Sequence, residues 1–166
     1  MLQEYDVAWF EEPLAPDALN DYVALRAAAP LPIAGGETLT RRQSFAPWLA
    51  AGAFDIVQPD VTKVGGISEE RRIGWSANEQ GIRFIPHGWN TALGLAADLQ
   101  LAAAFATTDR VEYMTGSPYI DALVTTPWQL DPDGMLAIPE APGLGLTLDV
   151  EAVARYTGEP TFMELR

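Results

Sequence analysis

No cysteine occurs in the chain, so neither a disulfide framework nor a thiolate metal site is available. Lysine and histidine are almost as scarce, for Lys63 and His87 are each the only one of their kind. Few side chains could therefore accept a proton near neutral pH, where imidazole is the usual choice. Long apolar runs are missing too. The most apolar helix candidate, Thr91 to Ala106, carries Asp98 and Gln100 and is too short to span a bilayer. The opening stretch MLQEYDVAWF has no basic segment followed by an apolar one, as a signal peptide would. Positive charge is also in deficit. The formal net charge is −13, which repels nucleic acid and anionic membranes. These absences predict a soluble, cytoplasmic protein with no nucleic-acid and no membrane partner.

What is present is a repeat. Hydrophobic residues make up 48 % of the 166, enough for a packed core. Five short β-type runs stand out: VAWFEEP (Val7 to Pro13), LPIAGGE (Leu31 to Glu37), FDIVQPD (Phe54 to Asp60), IRFIPHG (Ile82 to Gly88) and VEYMTG (Val111 to Gly116). Most are continuously apolar, which suits strands buried on both faces of a parallel sheet. Between them the pattern predicts helices over Pro16 to Ala28, Arg42 to Ala51, Ser68 to Gln80 and Thr91 to Ala106. Asp17, Thr40, Ser68 and Thr91 stand near their N-caps. Alternating strands and helices imply right-handed βαβ units.

Glu11, Glu37, Asp60, His87 and Glu112 recur at intervals of 26, 23, 27 and 25 residues, each at or near the end of a run. Glu112 fits most loosely, near the start of its run. A period of about 25 is one βα unit. In a TIM barrel, residues at C-terminal strand ends line the active-site mouth, so these groups are expected to converge. A complete barrel takes about 250 residues, and three further units would need roughly 75. The chain thus reads as the C-terminal part of a barrel, with a partial barrel over residues 1–116. Residues 117–166 read as a C-terminal segment. There DPDG predicts a hairpin between WQL and MLAI, and a short helix is expected around Val150 to Tyr156.

Each candidate has an ordinary alternative. Glu11 and Glu37 offer the hard oxygen donors that Mg²⁺ prefers, although EEP by itself reads as a surface turn. His87, with Asp60 one strand away, could form an oriented base, while a lone PHG histidine reads as a loop residue. Glu112, if buried and protonated, could donate a hydrogen bond to developing negative charge, or it could pair with Arg110. Lys63 could buttress the acidic cluster or sit solvated in a loop. Trp89 and Asn90 could line a substrate pocket or merely pack the loop. VGG is weak as a phosphate loop.

WFEEP, GGET, QPDVTKVGG, PHGWN and VEY, in this order and spacing, resemble the enolase superfamily, in its mandelate racemase/muconate lactonizing enzyme branch. The resemblance implies an α/β fold, the C-terminal part of a TIM-like (β/α)₇β barrel with about five parallel strands. It implies Mg²⁺ as cofactor and removal of the proton α to a carboxylate of a small-molecule substrate, a sugar acid or 2-hydroxy acid. It makes Glu11 and Glu37 metal ligands, with Glu12 the less favoured neighbour. It makes Asp60 and His87 a His–Asp base and Glu112 a donor to the substrate carboxylate. Dehydration of a sugar acid or racemisation and epimerisation would follow, by a lyase or an isomerase, and the full-length protein is expected to be a homo-oligomer. The third metal ligand, the second base and the capping domain of that family have no counterpart here. The isolated chain is therefore expected to bind Mg²⁺ weakly, to self-associate and to turn over slowly, and a non-catalytic remnant is the alternative.

Overall fold

The apolar runs pair in chain order. The computed structural model describes residues 2–157. Strands β1 (Phe10–Glu11), β2 (Ile33–Gly35), β3 (Ile56–Val57) and β4 (Arg83–Phe84) form one parallel sheet in the order β1-β2-β3-β4. The strands are short, but backbone pairing continues past them. Gln58 N–H donates to Gly35 O at 2.9 Å, and His87 N–H donates to Pro59 O at 3.0 Å. That extension carries Gln58 and Asp60 past β3 and His87 past β4, at the same end of the sheet as Glu11.

Helices α1 (Leu19–Ala28), α2 (Arg41–Ala51), α3 (Val61–Val64), α4 (Ile67–Glu79) and α5 (Ala92–Ala104) alternate with the strands. Thr40 and Thr91 take the extended cap conformation at the starts of α2 and α5. The main apolar cluster lies between helices and sheet. Ile33, Val57 and Phe84 meet Tyr22, Phe45, Trp48, Leu49 and Ile73 there. Trp48 and Phe54 stack at 5.1 Å, with Tyr22 edge-on to both. Alternate strand residues face the other way, because side chains reverse at each position. Ala34, Ile56 and Ile85 form a separate buried cluster with Trp9 against it.

The sequence reading needs three corrections. Val111 to Gly116 is not a fifth strand: residues 111–114 have no ladder pairing. The carbonyl of Phe84 is taken by the Thr108 hydroxyl at 2.7 Å rather than by a strand amide. The segment is held instead by side chains, with Tyr113 Oη donating to Asp121 at 3.0 Å. Second, DPDG makes a turn, with Asp131 N–H donating to Met135 O at 3.0 Å, but no strands flank it. Asp131 Oδ1 accepts from the amides of Asp133 and Met135, so the turn closes on its own side chain. Third, α3 and the short α6 (Pro118–Asp121) were not expected. The C-terminal helix α7 spans Val150–Tyr156, capped by Asp149. It is drawn in by a cluster of Ala92, Leu123, Val124 and Ala152. Residues 158–166 of the expected C-terminal segment lie outside the described residues.

Candidate active site

Two adjacent carboxylates end β1, and they part company. Glu12 has φ +36°, in the left-handed region that costs a non-glycine residue roughly 1 kcal/mol or more. The turn sends its carboxylate to brace the neighbouring strand, where Oε1 accepts from Gly36 N–H at 3.1 Å. Glu11 is left facing an open cavity of about 480 Å³, which Glu37, His87, Gly88, Trp89, Glu112, Tyr113 and Met114 also line.

His87 is the hub. Its Nδ1 lies 2.9 Å from Asp60 Oδ2. Its Nε2 lies 3.0 Å from Glu37 Oε2 and 3.8 Å from Glu112 Oε2. Asp60 is fully buried behind the ring. Its Oδ1 caps α3, accepting from the Thr62 amide at 2.8 Å and the Thr62 hydroxyl at 2.6 Å. Burial alone would raise this carboxyl. The hydrogen bonds from His87 and Thr62 overcome that and hold it down to about 2. For His87, burial opposes the charged ring, but the bond to Asp60 and the fields of Glu112 and Glu37 outweigh it and raise the imidazole pKa. Lys63 lies 3.4 Å from Asp60 Oδ2 and 3.8 Å from Glu37 Oε1, so it sits against the acidic cluster.

Glu112 reaches the cavity from the unpaired segment. Its Oε2 accepts from Gly88 N–H at 2.8 Å. Gly88 is needed for that approach, since a Cβ there would collide with the Glu112 carbonyl. Burial raises the Glu112 carboxyl, and Glu11 and Glu37 add to the rise against the opposing pull of Gly88 and His87. Arg110, the alternative partner, instead meets Asp109 at 3.4 Å and lies over the Trp9 ring at 5.7 Å. Of the two loop candidates, Trp89 is 74 % exposed on the cavity wall. Asn90 turns toward α5 and donates to Asp98 Oδ2 at 3.4 Å.

Gln58, Tyr113 and Met114 were missed by the sequence reading. Gln58 Nε2 donates to Glu11 Oε2 at 2.8 Å and to Glu112 Oε1 at 3.3 Å. A signal for it existed: Gln58 stands two residues before Asp60, and i, i+2 neighbours on an extended chain share a face. As a test of fit to Mg²⁺, Glu11 and Glu37 are oxygen donors on one cavity, the chemistry a hard cation takes, with water filling its remaining positions. Among the described residues, no group of three or more His, Cys, Asp or Glu could hold a metal ion. Glu11 and Glu37 are the two residues whose chemistry could hold such a cation.

The family described as enolase C-terminal domain-like matches residues 1–153. The chain is 37 % identical over 162 residues to D-galactarolactone cycloisomerase of Agrobacterium fabrum, covering 92 % of this chain and 42 % of that protein. It is 35 % identical over 166 residues to D-xylonate dehydratase of Haloferax volcanii, covering 98 % and 40 %. Among solved structures it resembles a mandelate racemase/muconate lactonizing enzyme from a Sulfitobacter species. The TM-score is 0.85 at 38 % identity, over 95 % of this chain and 40 % of that one. The chain thus spans well under half the length of these relatives.

Proposed function

The chain belongs to the enolase superfamily, in its mandelate racemase/muconate lactonizing enzyme family, and we propose that it carries the base and the cation-facing carboxylates of a site that dehydrates a sugar acid. The observation that supports this most is the His87 ring, held at Nδ1 by a buried aspartate and presenting Nε2 to a cavity lined by carboxylates. The relatives named above act as a dehydratase and a cycloisomerase, which supports an acid-sugar substrate.

The proton α to a carboxylate is very weakly acidic, and its removal leaves a second negative charge on that group. Mg²⁺ held by Glu11 and Glu37 would supply the positive charge that offsets it. His87 Nε2 takes the α-proton. Asp60 keeps the ring oriented and stabilises its charged form. Glu112, its carboxyl pushed up by burial and by the fields of Glu11 and Glu37, would, when protonated, donate a hydrogen bond to the substrate carboxylate. Trp89 offers an apolar wall to the sugar chain. His87, now protonated, returns its proton to the departing β-hydroxyl, which leaves as water. The enol then tautomerises to a 2-keto-3-deoxy acid. In the resting arrangement Glu37 holds Nε2, so the two must separate before the proton moves.

The test is α-proton exchange of a panel of sugar acids in D₂O, followed by NMR with Mg²⁺ present. The chain is assayed alone and joined to the N-terminal part of a relative. The joined protein is expected to exchange and to release 2-keto-3-deoxy acid, the chain alone far less. His87→Asn should cost the joined protein about 10² to 10⁴ in rate. Exchange that survives His87→Asn would remove the proposal.

A further inference from the structure

We propose that Gln58 is a positioning residue for Glu11, holding that carboxylate by Oε2 so that Oε1 would be the oxygen left for a divalent cation. This rests on the reading of Glu11 and Glu37 as cation ligands.

Gln58 is 1 % exposed, and a buried amide must find partners for its N–H groups. Its Nε2 spends both donors on carboxylates from opposite walls of the cavity, Glu11 Oε2 at 2.8 Å and Glu112 Oε1 at 3.3 Å. Glu11 Oε2 receives a second donor, Trp9 Nε1, at 3.0 Å. A carboxylate oxygen has about two acceptor sites, so Oε2 is filled. Among the described residues, Oε1 receives no hydrogen bond. A bidentate grip would have to break one of the two bonds on Oε2. Glu112 is drawn into the same frame, with Gly88 N–H on its other oxygen. Gln58 therefore spans from the carboxylate facing the cation to the acid facing the substrate. Its backbone amide is locked to Gly35 O at 2.9 Å, so the span starts from a rigid ladder position.

The test is Mn²⁺ affinity of the full chain, read by electron paramagnetic resonance, with thermal midpoints measured alongside. Gln58→Met keeps length and removes both donors. Gln58→Asn keeps the amide and shortens its reach, and serves if the methionine variant does not fold. Both are expected to weaken Mn²⁺ binding about tenfold or more, the usual loss for a group that orients a ligand, with midpoints near wild type. Glu11→Gln should weaken it further. If Glu11→Gln loses binding while both Gln58 variants match wild type, the positioning role is overturned and the cation reading stands. If Glu11→Gln binds as wild type, or wild type binds no Mn²⁺, the cation reading falls and this inference with it.

Discussion

Two residues outside the cavity matter for how the protein responds to pH. Glu70 on α4 is fully buried, and among the described residues neither of its carboxyl oxygens has a hydrogen-bond partner. Burial, with the fields of Asp98 and Asp60 behind it, pushes its carboxyl up to about 10. Asp98 on α5 is raised by burial to about 8, against the pull of a hydrogen bond from Asn90. Both are held as neutral acids at neutral pH. The unfolded chain releases these protons near the ordinary 3.8 and 4.5, so above that range the folded state binds more protons than the unfolded. Stability must then fall as pH rises, by about 1.4 kcal/mol per pH unit for each group, until the folded group titrates. Glu70→Gln removes one of the two. Urea unfolding at pH 5, 6, 7 and 8 should give a shallower decline for that variant than for wild type. Parallel declines would show Glu70 to be ionised in the fold. The Asp60–His87 pair runs in the opposite sense at low pH. Asp60, held at about 2, contributes stability that is whole above 3.8 and lost as pH falls through 2. His87, raised above 6.5, contributes stability that is whole below 6.5 and fades as pH rises through the raised value.

Elements differ in how far a single sequence discloses them. The βα alternation was legible because apolar runs and ionisable ends recur at one period, and four of the five runs pair as parallel strands. The 111–116 run has the same composition, but its place beside β4 is set by contacts that no local pattern encodes. Thr108 takes the Phe84 carbonyl, and the close pass of Gly88 against Glu112 fixes the rest. The cavity-lining residues at strand ends were legible for the same periodic reason. The i, i+2 relation to Asp60 placed Gln58 on the cavity-facing side, but an amide has no charge to mark it as part of the periodic set of ionisable ends. Glu70 gave no signal of burial, since glutamate is the commonest kind of solvent-facing helix residue. The Gly88 contact yields its own prediction. Gly88→Ala puts a methyl against the Glu112 carbonyl, and overpacking of that kind costs about 1–3 kcal/mol. Chemical denaturation should show that loss, together with changed amide resonances at 111–114. A variant as stable as wild type, with those resonances unmoved, would mean the segment does not pass where described.

Taken whole, the described residues form a strongly acidic sheet-and-helix body in which Arg26, Arg42, Lys63, Arg72, Arg83 and Arg110 pair with particular carboxylates. Among the described residues no helix is long and apolar enough to cross a membrane. On the proposed reading, a carboxylate substrate would be repelled by the body as a whole, and its entry would rely on local positive charge from Lys63 and from a cation at Glu11 and Glu37. Everything depends on one imidazole being where the strand ends meet. Because His87 is the only histidine in the chain, its ¹⁵N ring signals can be read without assignment. A pH titration of those signals in wild type and Asp60→Asn is the most direct measurement. A proton resident on Nδ1, a ring titrating above 6.5 and a clear downward shift in the variant are the expected result. A ring that titrates at the ordinary value and ignores the loss of Asp60 would contradict it.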